Sequence, residues 1–283
     1  MQNTPGLPEP PAEMLAYYQS LHAFITEQVA QLRSTPFEKV AGASGRIQTL
    51  LHTTSLLDMG YVPVDNERVA KNFKSIVDLL LQSSPANELA LVLTKALAGG
   101  EFGKEYWQED LQGVEDRLVG WADAAKLDAD SLLQLAHWAM SPFWRLAAEQ
   151  YATELHEIIT NERTNCPICG KHADFAVLDD KEHGRRYLTC LSCNWQWPFK
   201  RMGCSYCGNN DHGELGYILL EDHKGYMIYH CERCKSYLKT FDQRAAVGRL
   251  DDNPLLENVK TLFLDMIAIK KGYLPIHGQV DES

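Results

Sequence analysis

The chain has 283 residues, 45% of them hydrophobic, enough for one large domain or two ordinary ones with a buried core. Its net charge of −11 argues against non-specific attachment to nucleic acid or to an anionic membrane surface. No stretch reaches the run of about 18 apolar residues that a membrane span needs, so no membrane insertion is expected.

Met1 to Pro11 is polar and proline-rich, without a basic segment leading into an apolar one. It reads as a disordered lead-in to a protein that stays in the cytoplasm. From about 12 to 160 the apolar residues recur at helical spacing. Met14, Leu15, Tyr18, Leu21, His22, Ile25, Val29 and Leu32 trace a first helix. Asn87 to Ala98 is a strongly apolar helix between Ser84-Pro85 and Gly99-Gly100. A further helix opens at Asp130-Ser131. Ser141-Pro142 is expected to interrupt it, with Pro142 in the first turn of a last helix carrying Phe143, Trp144, Leu146, Ala147, Tyr151 and Leu155. β-branched alternation is scarce, so 1–160 is expected to be an all-helical bundle with 1–11 as its lead-in.

The pattern changes at Asn161. Short strand-like runs follow at 175–178, 186–189, 216–220 and 225–229, separated by Gly, Asp and Asn turns. Asn253 and Pro254 announce a final helix as N-cap and first helical residue, and Gly272 ends it. Its expected buried face is Leu255, Leu256, Val259, Leu262, Phe263, Met266 and Ile267, and the tail after Pro275 is expected to fray.

All eight cysteines lie in this second half, as four Cys-x-x-Cys pairs: Cys166/Cys169, Cys190/Cys193, Cys204/Cys207 and Cys231/Cys234. A cytoplasmic chain keeps such thiols reduced, which favours metal ligation over disulfides. Two intervening residues let one tight turn aim both sulfurs at a single ion. A residue able to take positive φ just after the second cysteine suits that turn: Gly170 and Gly208 fit best, Asn194 is tolerable and Lys235 is least suited. The gap from Cys169 to Cys190 is 20 residues and that from Cys207 to Cys231 is 23, each room for a hairpin, whereas only 10 residues separate Cys193 from Cys204. Sequential pairing follows, with Cys166, Cys169, Cys190 and Cys193 on one ion and Cys204, Cys207, Cys231 and Cys234 on a second; interleaved pairing is the alternative. Each unit of about 40 residues is too small to fold without its ion, and a structural four-cysteine site supplies roughly 10–16 kcal/mol of apparent binding free energy. Thiolates alone do not choose between iron and zinc.

The expected architecture is therefore α+β: a helical bundle (1–160), two tandem rubredoxin-like or zinc-ribbon subdomains (161–203 and 204–245), and a C-terminal helix and tail (246–283). A full cysteine set leaves His172, His183, His212, His223 and His230 without a ligand role. Trp195, Trp197 and Phe199 alternate as a strand would, with one face packed in the core over the metal site; an exposed recognition patch is the alternative. There is no phosphate-binding glycine loop, zinc-protease helix or nucleophile elbow, and Asp179-Asp180 and Asp251-Asp252 read as turn residues, so no enzyme activity is expected. A nucleic-acid-binding zinc ribbon should carry a basic stripe. Residues 161–245 instead hold 12 Lys/Arg against 11 Asp/Glu.

The run Arg186-Tyr187-Leu188-Thr189-Cys190 to Trp197 resembles the FdhE family, the formate dehydrogenase accessory proteins. So do Arg201-Met202-Gly203-Cys204-Ser205-Tyr206-Cys207-Gly208 and Cys231 to Lys239, together with the opening Cys166-Pro167-Ile168-Cys169-Gly170. The resemblance covers about 145–275. It implies a cytoplasmic, non-enzymatic maturation factor or chaperone with a helical N-terminal domain and two rubredoxin-like subdomains. Its partner would be the formate dehydrogenase catalytic subunit, which carries molybdopterin or tungstopterin. It also implies that the eight cysteines are metal ligands, with iron the metal most associated with the family. A rubredoxin-like electron carrier and a nucleic-acid-binding zinc ribbon are the alternatives.

Overall fold

The structure is a computed structural model and describes residues 9–34, 47, 54–160, 162–221, 223–245 and 253–275. Most of the expected lead-in, the Asp251-Asp252 turn and the tail after Pro275 lie outside the described residues. Among the described residues, helices and a single sheet occupy different parts of the chain, giving a mixed α and β fold. Two compact units divide it: 11–38 with 62–147, and 1–10 with 39–61 and 148–283.

The first of these units is helical. Its elements are α1 (Ala12–Arg33), α2 (Asn66–Ser83), α3 (Glu88–Ala98), a 3-10 turn (Lys104–Trp107), α4 (Leu111–Ala125) and most of α5 (Ala129–Gln150). Asp65, Asn87 and Asp110 each accept a hydrogen bond from a first-turn amide at 3.1, 2.9 and 2.9 Å, satisfying donors that the helix itself leaves orphaned. Leu21, Ile25, Val69, Phe73, Ile76, Leu93 and Leu118 are buried. Phe73 meets Phe102 and Trp107 with ring centroids 5.2 Å apart in both cases.

Pro142 departs from the helix interruption expected of it: it does not break the chain's helix, and α5 runs through it to Gln150. A proline inside a helix costs about 3 kcal/mol, from the missing backbone hydrogen bond and the clash of its ring with the preceding turn. Every residue from Leu135 to Ala148 is buried, and that packing outweighs the loss.

In the second unit, a short helix α6 (Ala152–Ile158) leads to six strands: β1 (Phe175–Leu178), β2 (Arg186–Thr189), β3 (Gln196–Phe199), β4 (Leu215–Leu219), β5 (Tyr226–Cys231) and β6 (Tyr237–Asp242). They form one sheet in the order β3-β2-β1-β6-β5-β4. β1–β2–β3 and β4–β5–β6 are antiparallel ribbons, as the hairpin-sized gaps lead one to expect. The ribbons then join edge to edge, because β1 pairs with β6 in parallel, Phe175 opposite Lys239 and Leu178 opposite Asp242. With a neighbour on each side, all six residues of β6 are buried.

The closing helix also departs from expectation. Asn253 caps it through the amides of Leu255 and Leu256, with Pro254 at its first position, as expected. Yet it is two helices, α7 (Pro254–Lys260) and α8 (Leu262–Lys270), broken at Thr261. The Thr261 hydroxyl donates to the Glu257 carbonyl at 2.9 Å, and its backbone leaves helical geometry at φ −102°, ψ 20°. The break shifts the apolar face, so Leu264 and Ala268 are fully buried while Met266 is 56% exposed. Phe263, Leu264 and Ala268 pack with Ile228 and Tyr237 of the second ribbon. Beneath them the buried Lys239 ammonium donates to Asp265 at 2.7 Å and to the Asn258 carbonyl at 2.9 Å, and the Tyr237 hydroxyl donates to Asp265 at 2.7 Å.

Candidate metal centres

Each Cys-x-x-Cys pair folds by the same local rule. The amide of the first cysteine donates to the carbonyl five residues on: Cys166 to Lys171 (2.6 Å), Cys190 to Trp195 (3.0 Å), Cys204 to Asn209 (2.9 Å) and Cys231 to Ser236 (3.0 Å). The residue after each second cysteine takes positive φ: Gly170 77°, Asn194 60°, Gly208 69° and Lys235 55°. The four sequence positions singled out for this turn all adopt it, the lysine included. Without a Cβ constraint glycine does so freely; Asn194 and Lys235 hold it against side-chain strain.

The eight sulfurs gather into two groups of four, Cys166, Cys169, Cys190 and Cys193, and Cys204, Cys207, Cys231 and Cys234, the sulfurs in each lying within 4.8 Å of one another. Across the knuckles the sulfurs approach to 3.3 Å (Cys166 to Cys193) and 3.6 Å (Cys169 to Cys190) in the first. In the second the approaches are 3.6 Å (Cys204 to Cys234) and 3.9 Å (Cys207 to Cys231). These distances exclude disulfides, whose sulfurs are about 2.05 Å apart. They match the edge of about 3.8 Å that a tetrahedron with metal–sulfur bonds of about 2.3 Å requires. Each group could hold one metal ion. Among the described residues neither group includes a histidine. His230 instead stacks on Tyr273 with ring centroids 4.4 Å apart, and His172 lies 4.9 Å from the Tyr206 ring.

The first group is closed off from several directions. Trp197 is fully buried and its indole N–H donates to the Arg163 carbonyl at 2.9 Å. The Leu191 amide donates to Asp174, tying the second knuckle to the start of β1. A remote segment also joins in: the Leu56 and Leu57 amides donate to the Pro167 and Ile168 carbonyls at 2.9 and 3.0 Å, inside the first knuckle itself. Sequence reading missed that contact, since nothing in the composition of 54–61 announces it. Burial pushes the Cys193 thiol well up, and the neighbouring cysteine thiols add to that.

The second group is set differently. The Cys204 sulfur accepts from the Tyr206 and Cys207 amides, both at 3.4 Å, and lies 3.5 Å from the Ser236 hydroxyl. The Cys234 sulfur is 3.0 Å from that same hydroxyl, and the Asn209 amide reaches Cys231 at 3.7 Å. The Cys234 thiol pulls Cys204 down to about 4, helped by Ser236 and the two amides against the opposing effect of burial. Cys234 moves up in turn, chiefly through its hydrogen bond with Cys204. Donors aimed at sulfur favour the thiolate that a metal needs. Ser236 and Asn209 were not foreseen; their positions, five residues after a first cysteine, are the signal that could have found them.

A family model described as "FdhE, central domain" matches residues 165–201, the span of the first four cysteines. A protein named FdhE homolog from Pseudomonas aeruginosa is 33% identical over 205 residues, covering 68% of this chain and 60% of that protein. Another from Aquifex aeolicus is 30% identical over 113 residues, 39% of each. Matches thus span roughly half the length of these relatives. A crystal structure of the FdhE protein from Pseudomonas aeruginosa has the same fold, with a TM-score of 0.52 over 96% of both chains at 22% identity. No helix among the described residues is long and apolar enough to cross a membrane. With the Arg-Tyr-Leu-x-Cys strand and four knuckles in order, these matches establish that the chain belongs to the FdhE family.

Proposed function

We propose that this protein is a cytoplasmic accessory factor for the assembly of formate dehydrogenase. In this reading it binds the immature pterin-carrying catalytic subunit and performs no chemistry of its own. The observation that carries it is the family match centred on the first ribbon, in a chain whose eight sulfurs form two tetrahedron-sized groups. Cys166, Cys169, Cys190 and Cys193 would hold one ion, and Cys204, Cys207, Cys231 and Cys234 a second, iron or zinc. A bound ion supplies a closed clasp with no open coordination position, plus a one-electron couple when it is iron. The knuckle amides and the Ser236 hydroxyl hold the thiolates in register for it.

Deleting the gene from a formate-grown host and measuring formate dehydrogenase activity and cofactor content tests the reading. Loss of both, with co-purification of the catalytic subunit, is expected. Unchanged activity and cofactor content would end it. A second reading, electron carriage at the second group, draws on the exposure of Cys207. It requires thiolate-to-iron absorption that bleaches reversibly on reduction; a colourless zinc protein would remove it.

A further inference from the structure

Arg186 opens β2 of the first ribbon, yet its guanidinium lies against the second. It is 1% exposed, among the largest wholly buried side chains of the molecule. Its Nη1 donates to the carbonyl of Gly203, the residue immediately before Cys204, at 3.0 Å. The guanidinium carbon lies 4.5 Å from the Tyr229 ring centroid and 5.6 Å from that of Phe199, so aromatic faces from both ribbons cover it. Burial pulls it down to about 10, which leaves it charged at neutral pH.

A buried cation needs an anion, because an unpaired one is strongly unfavourable. Among the described residues no carboxylate pairs with Arg186; the titratable groups that reach it are the Tyr229 phenol and the Cys204 thiol. The cavity shared by Arg186, Gly203, Cys204, Tyr229, Cys231 and Ser236 measures about 20 Å³. That is room for about one water and too little for a phosphate or carboxylate ligand. The cysteine group has the opposite deficit, since four thiolates around a divalent ion leave two negative charges uncompensated.

We propose that Arg186 is the internal counter-cation of the second four-cysteine group, and that its charge strengthens metal binding there. This rests on the reading that those cysteines hold a metal. It gives the first residue of the Arg-Tyr-Leu-x-Cys strand a task in the neighbouring ribbon's centre rather than in its own. The first group is arranged differently: Arg163 is approached by Cys166 and Cys169 but also by the Asp58 carboxylate, which takes part of its charge.

Cobalt(II) titration of the full-length apoprotein against a competing chelator, followed by thiolate-to-cobalt absorption, tests this. The phase lost in Cys207→Ser identifies the second group. Arg186→Met is expected to weaken that phase by roughly tenfold or more while the first group's phase stays unchanged. Arg186→Lys, which keeps the charge and loses the fork, should recover most of it. An unchanged second phase in Arg186→Met would overturn the proposal. So would equal weakening of both phases, which marks a general folding role, or a lysine variant as weak as the methionine one, which marks shape rather than charge. Wild-type protein that takes up no cobalt in the second group would instead refute the metal reading, and this inference with it.

Discussion

In the first ribbon none of the four cysteines is more than 3% exposed, whereas in the second Cys207 lies in solvent and Cys234 is half-buried. The knuckles are built alike, with the same amide closure and the same positive-φ residue. What differs is what covers them. Leu56 and Leu57 bond directly to the first knuckle, and Trp197 to the Arg163 carbonyl just before it; the second group is steadied by Ser236 and Asn209 of its own ribbon and by Arg186 reaching across from the first. A local motif therefore sets ligand geometry, while distant chain sets access. Access decides whether such a group is an inert clasp or a centre that solvent and partners reach.

The largest effect should come from the closed group. Replacing Cys166 and Cys190 together by serine is expected to remove most of the roughly 10–16 kcal/mol that a structural four-cysteine ion supplies and to abolish cooperative unfolding of the ribbons. Thermal melts followed by circular dichroism would read this; Cys207→Ser should leave a cooperative transition at lower temperature. If both variants melted alike, the contrast between the groups would be lost.

Next in size is the brace under the second ribbon. Asp265→Ala leaves the Lys239 ammonium, 4% exposed, without its carboxylate. A loss of about 3 kcal/mol in denaturant unfolding is expected. Lys239→Met in the same chain should restore part of it, and no recovery would mean that Asp265 acts through Tyr237 instead.

Smaller still is a difference in rate. Cys207 should be the first of the eight thiols to react with iodoacetamide, mapped by peptide mass spectrometry, with Cys166 and Cys190 last. Early labelling of the first group would contradict its closure.

The smallest effect concerns the fourth knuckle. Lys235→Gly relieves a side chain held at φ 55° and gives up an exposed pair with Glu232. The pair is worth little, so a net gain of about 0.5–1 kcal/mol is expected in the same unfolding experiment.

Much of this architecture was legible because it is locally determined. The knuckles, the hairpins between them, the third strand through Trp197 and Phe199 and the Asn253-Pro254 cap all follow from residues within a few positions of each other. Where the sequence misleads, a distant contact decides. β6 drew no assignment, since Tyr237 to Asp242 mixes apolar and polar residues that are buried only because β1 and β5 flank both edges. The parallel β1–β6 pair has no local signature, because its strands lie some 60 residues apart and one comes from each ribbon. Pro142 is a breaker by propensity, overridden by packing along α5. Thr261 looks like an ordinary helical residue, yet its backbone at φ −102°, ψ 20° splits the closing helix. Nothing near Arg186 in the sequence announces its buried bond to the Gly203 carbonyl, which only the joined sheet brings about.

The central claim is two four-cysteine metal sites, one closed and one open. Native mass spectrometry of anaerobically purified protein during timed exposure to a chelator tests it most directly. Two ions per chain are expected at the outset, then a long-lived species with one ion, whose protected cysteines on subsequent alkylation are Cys166, Cys169, Cys190 and Cys193. A chain that carries no ion, or one that loses both in a single step, would contradict it.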